Sequence, residues 1–292
     1  MLAMIKRNLL LYFRDRSGVF FSLLGALISF VLYLVFLKKN MLASWHQLPN
    51  AKLLLDTWLI AGTLAITGIT TTLTNLALLV TDKEQHIAAD LELTDAGPLR
   101  LFASYLCSAA FIGMLMQVAM FAIMWGGFYV TDGLTFSAST LLNVFVLMGT
   151  SSLLATAVNA AIIRGIHSVD SLDKLGTIVG TAAGFLVGTY IPIGMLPTFA
   201  QNLVKFIPGS YVAALYRQFL MADKLNPVFA GHVAARDQFE RLMGVRLNWS
   251  TLLTQQETYH IMGLIFIGAV ALAFGTEWFQ VWRRHRRVVH ER

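Results

Sequence analysis

The chain has 292 residues, 57% of them hydrophobic and 13% charged, with a formal charge of +6 and a mean hydropathy of +0.65. A soluble domain carries about 25% charged residues, so this composition excludes an ordinary soluble enzyme and points to several membrane spans. The excess Lys and Arg sit beside apolar runs, where they orient membrane helices and do not signal nucleic-acid binding; the single cysteine, Cys107, excludes an intrachain disulfide and a thiolate metal cluster.

At the N-terminus Leu2, Ile5, Leu9 and Phe13 recur at helical spacing, with Lys6, Arg7 and Arg14 elsewhere on the helix. Residues 1–16 therefore read as a short interfacial helix, or as a basic flank that only fixes topology. The apolar run that follows is longer than the roughly 7–15 residues of a signal sequence and lacks a small-residue cleavage site. A spanning helix needs about 20 mostly apolar residues. Uncharged runs at Ser17–Leu37, Trp58–Val80, Leu101–Val130, Thr140–Ile163, Leu175–Leu196 and Tyr259–Thr276 supply candidates for six spans. With the N-terminus inside, Lys6, Arg7, Arg14, Arg16, Lys83, Arg100, Arg164, Lys174 and the Arg283–Arg292 cluster all face the cytoplasm, against Lys38, Lys39 and Lys52 in the short outer loops. Both termini are expected to be cytoplasmic.

Between the second and third spans lies a charged, proline-terminated island, Thr81–Arg100, with Asp82, Glu84, Asp90, Glu92 and Asp95. Such a segment cannot lie in lipid. The same count of positive charges puts it on the cytoplasmic side, where something outside the membrane can push on it.

In the second span Thr63, Thr67, Thr70, Thr71 and Thr74 form one polar stripe, extended by Asn75. The stripe serves either helix packing or the weakly polar wall of a substrate path. Gly176, Gly180, Gly184 and Gly188 recur every fourth residue in the fifth span. Stacked glycines let a helix backbone approach, within the chain, from a second copy, or as a sliding surface.

Beyond this span, Pro192, Pro197 and Pro208-Gly209 break the chain three times. The apolar stretches between the breaks look too short to cross and too apolar for an exposed loop, so re-entrant helices are expected. Residues 222–257 form the one substantial external loop. Glu277, Trp278 and Trp282 read as an interfacial belt at the end of the last span.

No GxxxxGK[ST], HExxH or GxSxG occurs, so no ATP-binding loop, metalloprotease or lipase signature is present. His167, Asp170 and Asp173 read as a solvated loop face and not as a metal site. The spans carry no Asp, Glu, Lys or Arg near their midpoints, which argues against an ion-coupled carrier.

Taken together the pattern resembles the permease subunit of type-2 ABC exporters, the group that includes bacterial drug and antibiotic exporters and polysaccharide and lipid exporters. The resemblance covers nearly the whole chain and rests mainly on two segments. DKEQHIAADLELTDAGPLRLFASYL resembles the family's loop between helices two and three, and IPIGMLPTFAQNLVKFIPGSYVAALYRQFLM its segment after helix five, including Pro197, Pro208, Gly209, Tyr211 and Arg217. One departure is visible: the family often has a glycine where His86 stands, so the local bend and the coupling contacts are expected to differ.

The resemblance implies an all-α, single-domain membrane protein with six transmembrane helices. An N-terminal interfacial helix (1–16), a cytoplasmic coupling helix within 81–100 and a re-entrant and extracellular segment (198–258) complete it. It further implies a multi-pass bacterial cell-membrane protein that works as two permease copies with two separate ATP-binding subunits. Those subunits would bind ATP and magnesium, and this chain would hold no cofactor and catalyse nothing itself. Asp82, Glu84, His86, Ile87, Asp90 and Leu91 would meet the ATPase, and the threonine stripe would line the path of an amphipathic or hydrophobic cargo such as a drug, antibiotic, peptide or lipid. The rivals are an ion-coupled carrier or channel acting alone, a membrane enzyme, and a non-transporting membrane scaffold.

Overall fold

The computed structural model describes residues 1–93 and 97–290, from Thr276 onward by helix alone. Every regular element among them is helical; an isolated antiparallel bridge joins Asn248 and Leu252. The order is α1 (Leu2–Arg14), α2 (Arg16–Leu32), a π-helical turn (Tyr33–Leu37) leading into α3 (Lys38–Ser44), α4 (Ala51–Glu84), α5 (Ile87–Glu92), α6 (Gly97–Asp132), α7 (Ala138–Ile163), α8 (Val169–Leu186), α9 (Thr198–Val204), α10 (Pro208–Val228), α11 (Val233–Met243) and α12 (Gln255–His290).

Local chemistry sets these boundaries. One residue, Asp15, separates α1 from α2: its backbone leaves the helical region and its Oδ1 accepts the Gly18 N–H at 2.9 Å, capping α2. Ser137 and Ser168 cap α7 and α8 in the same way. Thr254 and Glu257 form a reciprocal capping box at the start of α12, with the Thr254 N–H donating to Glu257 at 2.8 Å and the Glu257 N–H to Thr254 Oγ1 at 3.3 Å. Pro208 opens α10 at its first turn, where its missing N–H costs nothing.

Helix α4 is the axis. It packs against α2, α6, α7, α8 and α10, and its most apolar window is 89% buried. Lipid gives helices little hydrophobic reason to associate, so close contact and hydrogen bonds must hold them. Both are visible here. Gly113 of α6 lies against Thr72, and Asn159 of α7 donates to Thr72 Oγ1 at 2.8 Å and to the Ile69 carbonyl at 2.9 Å. Gln117 of α6 donates to Ser152 at 2.7 Å and accepts from Tyr216 of α10 at 2.6 Å.

Among the described residues five helical stretches are long and apolar enough to cross a membrane: Arg16–Ser44, Ala51–Glu84, Gly97–Asp132, Ala138–Ile163 and Gln255–Gly275. The expected sixth, Leu175–Leu196, is replaced by α8, which starts earlier and ends at Leu186. Its first turns carry Asp170, Asp173 and Lys174. Its end is fixed by Gly188 at φ +70°, where the Thr189 N–H turns back to the Gly184 carbonyl at 2.8 Å. Beyond the last proline break, α10 is not among the stretches apolar enough to cross. Helix α10 has 21 residues, and most of them are buried against α4, α7 and α12. Its Ser210, Tyr211, Tyr216 and Arg217 side chains find hydrogen-bond partners inside the protein. Asp95 lies outside the described residues, as do the side chains of Glu277, Trp278 and Trp282.

Candidate functional site

An open groove of about 1120 Å³ runs between α1, α2, α4 and α8. Its floor comes from α4 through Thr70, Thr74 and Asn75, and its walls from α2 and α8. The two walls pinch together at a pair of glycines: a side chain at Gly25 would meet the Gly180 carbonyl at 3.4 Å. Aromatic Phe185 and Tyr190, edge to face at 4.9 Å, line the groove beyond the last turns of α8.

The threonine stripe is split by this arrangement. Thr70, Thr74 and Asn75 reach the groove, whereas Thr63, Thr67 and Thr71 are wholly buried elsewhere on α4. The hydroxyls of Thr67, Thr71 and Thr74 donate back to the carbonyls four residues earlier, and Thr70 donates to the Ser22 carbonyl of α2 at 2.6 Å. The glycine ladder is split as well. Gly176 and Gly180 face open space, Gly184 lies under the Tyr190 ring, and Gly188 forms the turn that ends α8.

At one end of the groove α1 is tied to α4 and α6. Asp82, only 1% exposed, receives both arms of the Arg7 guanidinium at 2.8 and 2.9 Å and the Tyr105 hydroxyl. These bonds hold the Arg7 guanidinium above its ordinary pKa. Beside Arg7, buried Asn8 donates to Ser108 at 3.2 Å, and Ser108 donates to Asn75 Oδ1 at 3.3 Å. Tyr12 pairs with Ser22 at 2.8 Å. Asn8 and Tyr12 therefore form the face of α1 that meets protein. Leu2 and Phe13 of the expected apolar stripe are exposed, with Leu10 beside them, and Leu9 and Ile5 are half-buried.

Past Asp82 the chain turns through His86 at φ +61° into the six-residue helix α5. This is the left-handed conformation that glycine adopts freely. Histidine is among the side chains that tolerate it better than most, so the bend is present without the glycine. Helix α5 seats on the bundle through buried Ala88, with Ile87 and Leu91 half-buried and Leu91 packed against α4 and α6 side chains. Glu84, His86, Ala89, Asp90 and Leu93 point outward, Leu93 with 87% of its surface exposed. Glu84 accepts the Val169 N–H at 2.9 Å, placing a carboxylate at the positive end of α8. Of the six residues expected at a partner surface, Asp82 is turned inward, Ile87 and Leu91 are partly so, and Glu84, His86 and Asp90 are exposed.

At the other end of the bundle lie an ionic cluster that escapes a reading of the sequence and the site of Arg217, a residue that the resemblance singles out. Lys38, Lys52, Asp56 and Asp132 close on one another where α3, α4 and α6 meet; Lys38 lies 2.8 Å from Asp56 and 2.6 Å from Asp132, and Tyr33 donates to Asp56 at 2.8 Å. Arg217 of α10 is fully buried, with no acidic partner among the described residues. Its guanidinium donates to the carbonyls of Val187, Gly188 and Gly244 at 3.1, 2.8 and 3.0 Å, and its charge lies over the Trp58 ring at 5.1 Å. Those carbonyls end α8 and α11, the negative poles of two helices, so the cation is balanced by dipoles. The proline breaks deliver it there: Pro197 precedes α9, Pro208-Gly209 starts α10, and Tyr211 returns a hydrogen bond to the Lys205 carbonyl at 2.6 Å.

No group of three or more His, Cys, Asp or Glu among the described residues is placed to hold a metal. Residues 1–221 match the family model described as "ABC-2 type transporter". No curated protein matches the chain.

Proposed function

The chain belongs to the ABC-2 type transporter family, and from that membership we propose that it is the membrane-spanning permease of an exporter driven by a separate ATP-binding subunit. The observation that carries this reading is α5, a six-residue helix held at the hinge between the two longest spans with Glu84, His86, Ala89, Asp90 and Leu93 outward. In this reading α5 docks on the ATPase, and both chain termini lie on the same, cytoplasmic side. Closure of the ATPase on ATP pushes α5. The push passes into α4 directly and into α1 through the Arg7–Asp82 pair, and α4 and α1 border the groove. A second copy of the chain completes the path by covering the groove, α9 and α10 dip back from the outer surface, and the cargo is an amphiphile that moves along the α2–α8 walls. Hydrolysis, ATP and magnesium belong to the partner subunit.

The ionic cluster at the far end does not favour an ion-coupled carrier. Its two lysines and two aspartates neutralise each other near helix ends, with no unpaired carboxylate left to carry an ion. The test is co-purification and transport in reconstituted vesicles with the ATP-binding subunit. Asp90→Arg combined with Leu93→Asp abolishes subunit association and ATP-dependent export while the permease stays folded. Association and transport at wild-type levels in this variant would remove α5 from the coupling role.

A further inference from the structure

We infer that the groove selects a cationic amphiphile, binding its positive group at Asp15 and Asp173 and a hydrogen-bond acceptor on its body at Asn75. This deepens the permease reading and rests on the groove being the cargo path. Among the described residues Asp15 and Asp173 are the only carboxylates lining the groove and no Lys or Arg lines it; both carboxylates are exposed. Arg14 and Arg16 flank Asp15 in sequence but stay outside the lining, and Lys174 beside Asp173 is engaged by Asp170 at 2.6 Å.

A second observation points to a ligand. Asn75 is 3% exposed and lines the groove; its Oδ1 is taken by Ser108, while its Nδ2 has no partner among the described residues. Asn75 lines the groove, so an acceptor on the ligand's body can take this free amide donor. Most of the remaining wall is apolar or consists of Ser and Thr hydroxyls already bonded to backbone, with the Tyr12 hydroxyl bonded to Ser22, which suits a hydrocarbon or aromatic body. An anionic amphiphile would meet two carboxylates and no counter-charge.

The test uses the full chain in uncharged maltoside micelles, with empty micelles subtracted. The probes are tetraphenylphosphonium and tetraphenylborate, ions of one shape and opposite charge. The expected result is tighter binding of the cation. Asp15→Asn with Asp173→Asn weakens the cation roughly fivefold, the scale of two exposed ion pairs, and brings the anion to parity. Asn at position 15 keeps the α2 cap, so folding is retained. Gly176→Leu fills open space and weakens both probes. Asn75→Leu weakens lauroylcholine, which has an ester acceptor, more than dodecyltrimethylammonium, which has none. Equal binding of the two tetraphenyl ions by the wild type, or unchanged cation binding by the double variant, overturns the inference. Charge-selective binding with no effect of an ATP-binding subunit on export retires the permease mechanism and leaves the groove assignment standing.

Discussion

Asp82, His86 and Arg217 are the residues whose surroundings most changed their meaning. As a letter in an acidic loop Asp82 looks solvated, yet it is buried under a bidentate guanidinium and a tyrosine hydroxyl. Removing one partner leaves the other's charge without its hydrogen bonds, and hydrogen bonds to charged groups contribute roughly 1.5–3 kcal/mol. Asp82→Asn and Arg7→Ala are therefore each expected to lower the thermal unfolding temperature in detergent. Arg7→Lys should recover little, since an ammonium cannot reproduce the two-armed contact; full rescue by Lys would show the pair to be a simple surface charge contact. His86 gives the opposite sign. Its left-handed backbone disfavours most side chains by about 1–2 kcal/mol, so His86→Gly should be neutral or stabilising by up to about 1 kcal/mol and His86→Ile destabilising. Chemical denaturation that finds His86→Gly the worse variant would mean the imidazole itself holds the turn.

The helices α8 and α10 are where element-scale reasoning applies. Arg217 joins the ends of α8 and α11 through three carbonyls, so its loss frees two helix termini at once. Arg217→Ala is expected to destabilise the fold by about 3 kcal/mol or more, as when a buried charged network is broken. It should also open residues 230–255 to limited proteolysis, and Arg217→Lys should behave similarly because three divergent acceptors suit a planar fork. Unchanged proteolysis in both would detach the external segment from this anchor. Within α8 the four glycines are not equivalent. An added Cβ at Gly184 would lie inside the Tyr190 ring, whereas Gly176 and Gly180 have open space. Gly176→Ala and Gly180→Ala should raise stability slightly through helix propensity, about 0.5–1 kcal/mol each, and Gly184→Ala should lower it; thermal melts of the three variants separate these outcomes.

At the scale of the whole molecule, a buried axis, α4, is surrounded by helices that leave one side open to form the groove. Five of the six expected spans, the N-terminal helix and the proline breaks before α9 and α10 were legible, because membrane length and proline geometry act on the chain locally. Helix ends were less so. The α12 capping box was present as Thr254 and Glu257, but hydropathy alone delayed the start of the span to Tyr259. The end of α8 at Leu186 depends on Gly188 taking a positive φ, which an unbroken apolar run conceals.

What the sequence determined by itself was composition and periodicity: an all-helical membrane chain, a charged island outside lipid between two long spans, and no ATP-binding loop of its own. Tertiary structure decided which members of each pattern share a surface. A threonine stripe has one spacing, but the bundle buries Thr63, Thr67 and Thr71 and leaves Thr70 and Thr74 on the groove. A loop acid has one charge, but only the approach of Arg7 from 75 residues away turns Asp82 inward and leaves Asp90 out. Such pairings depend on contacts between distant segments, and local sequence carries no record of them.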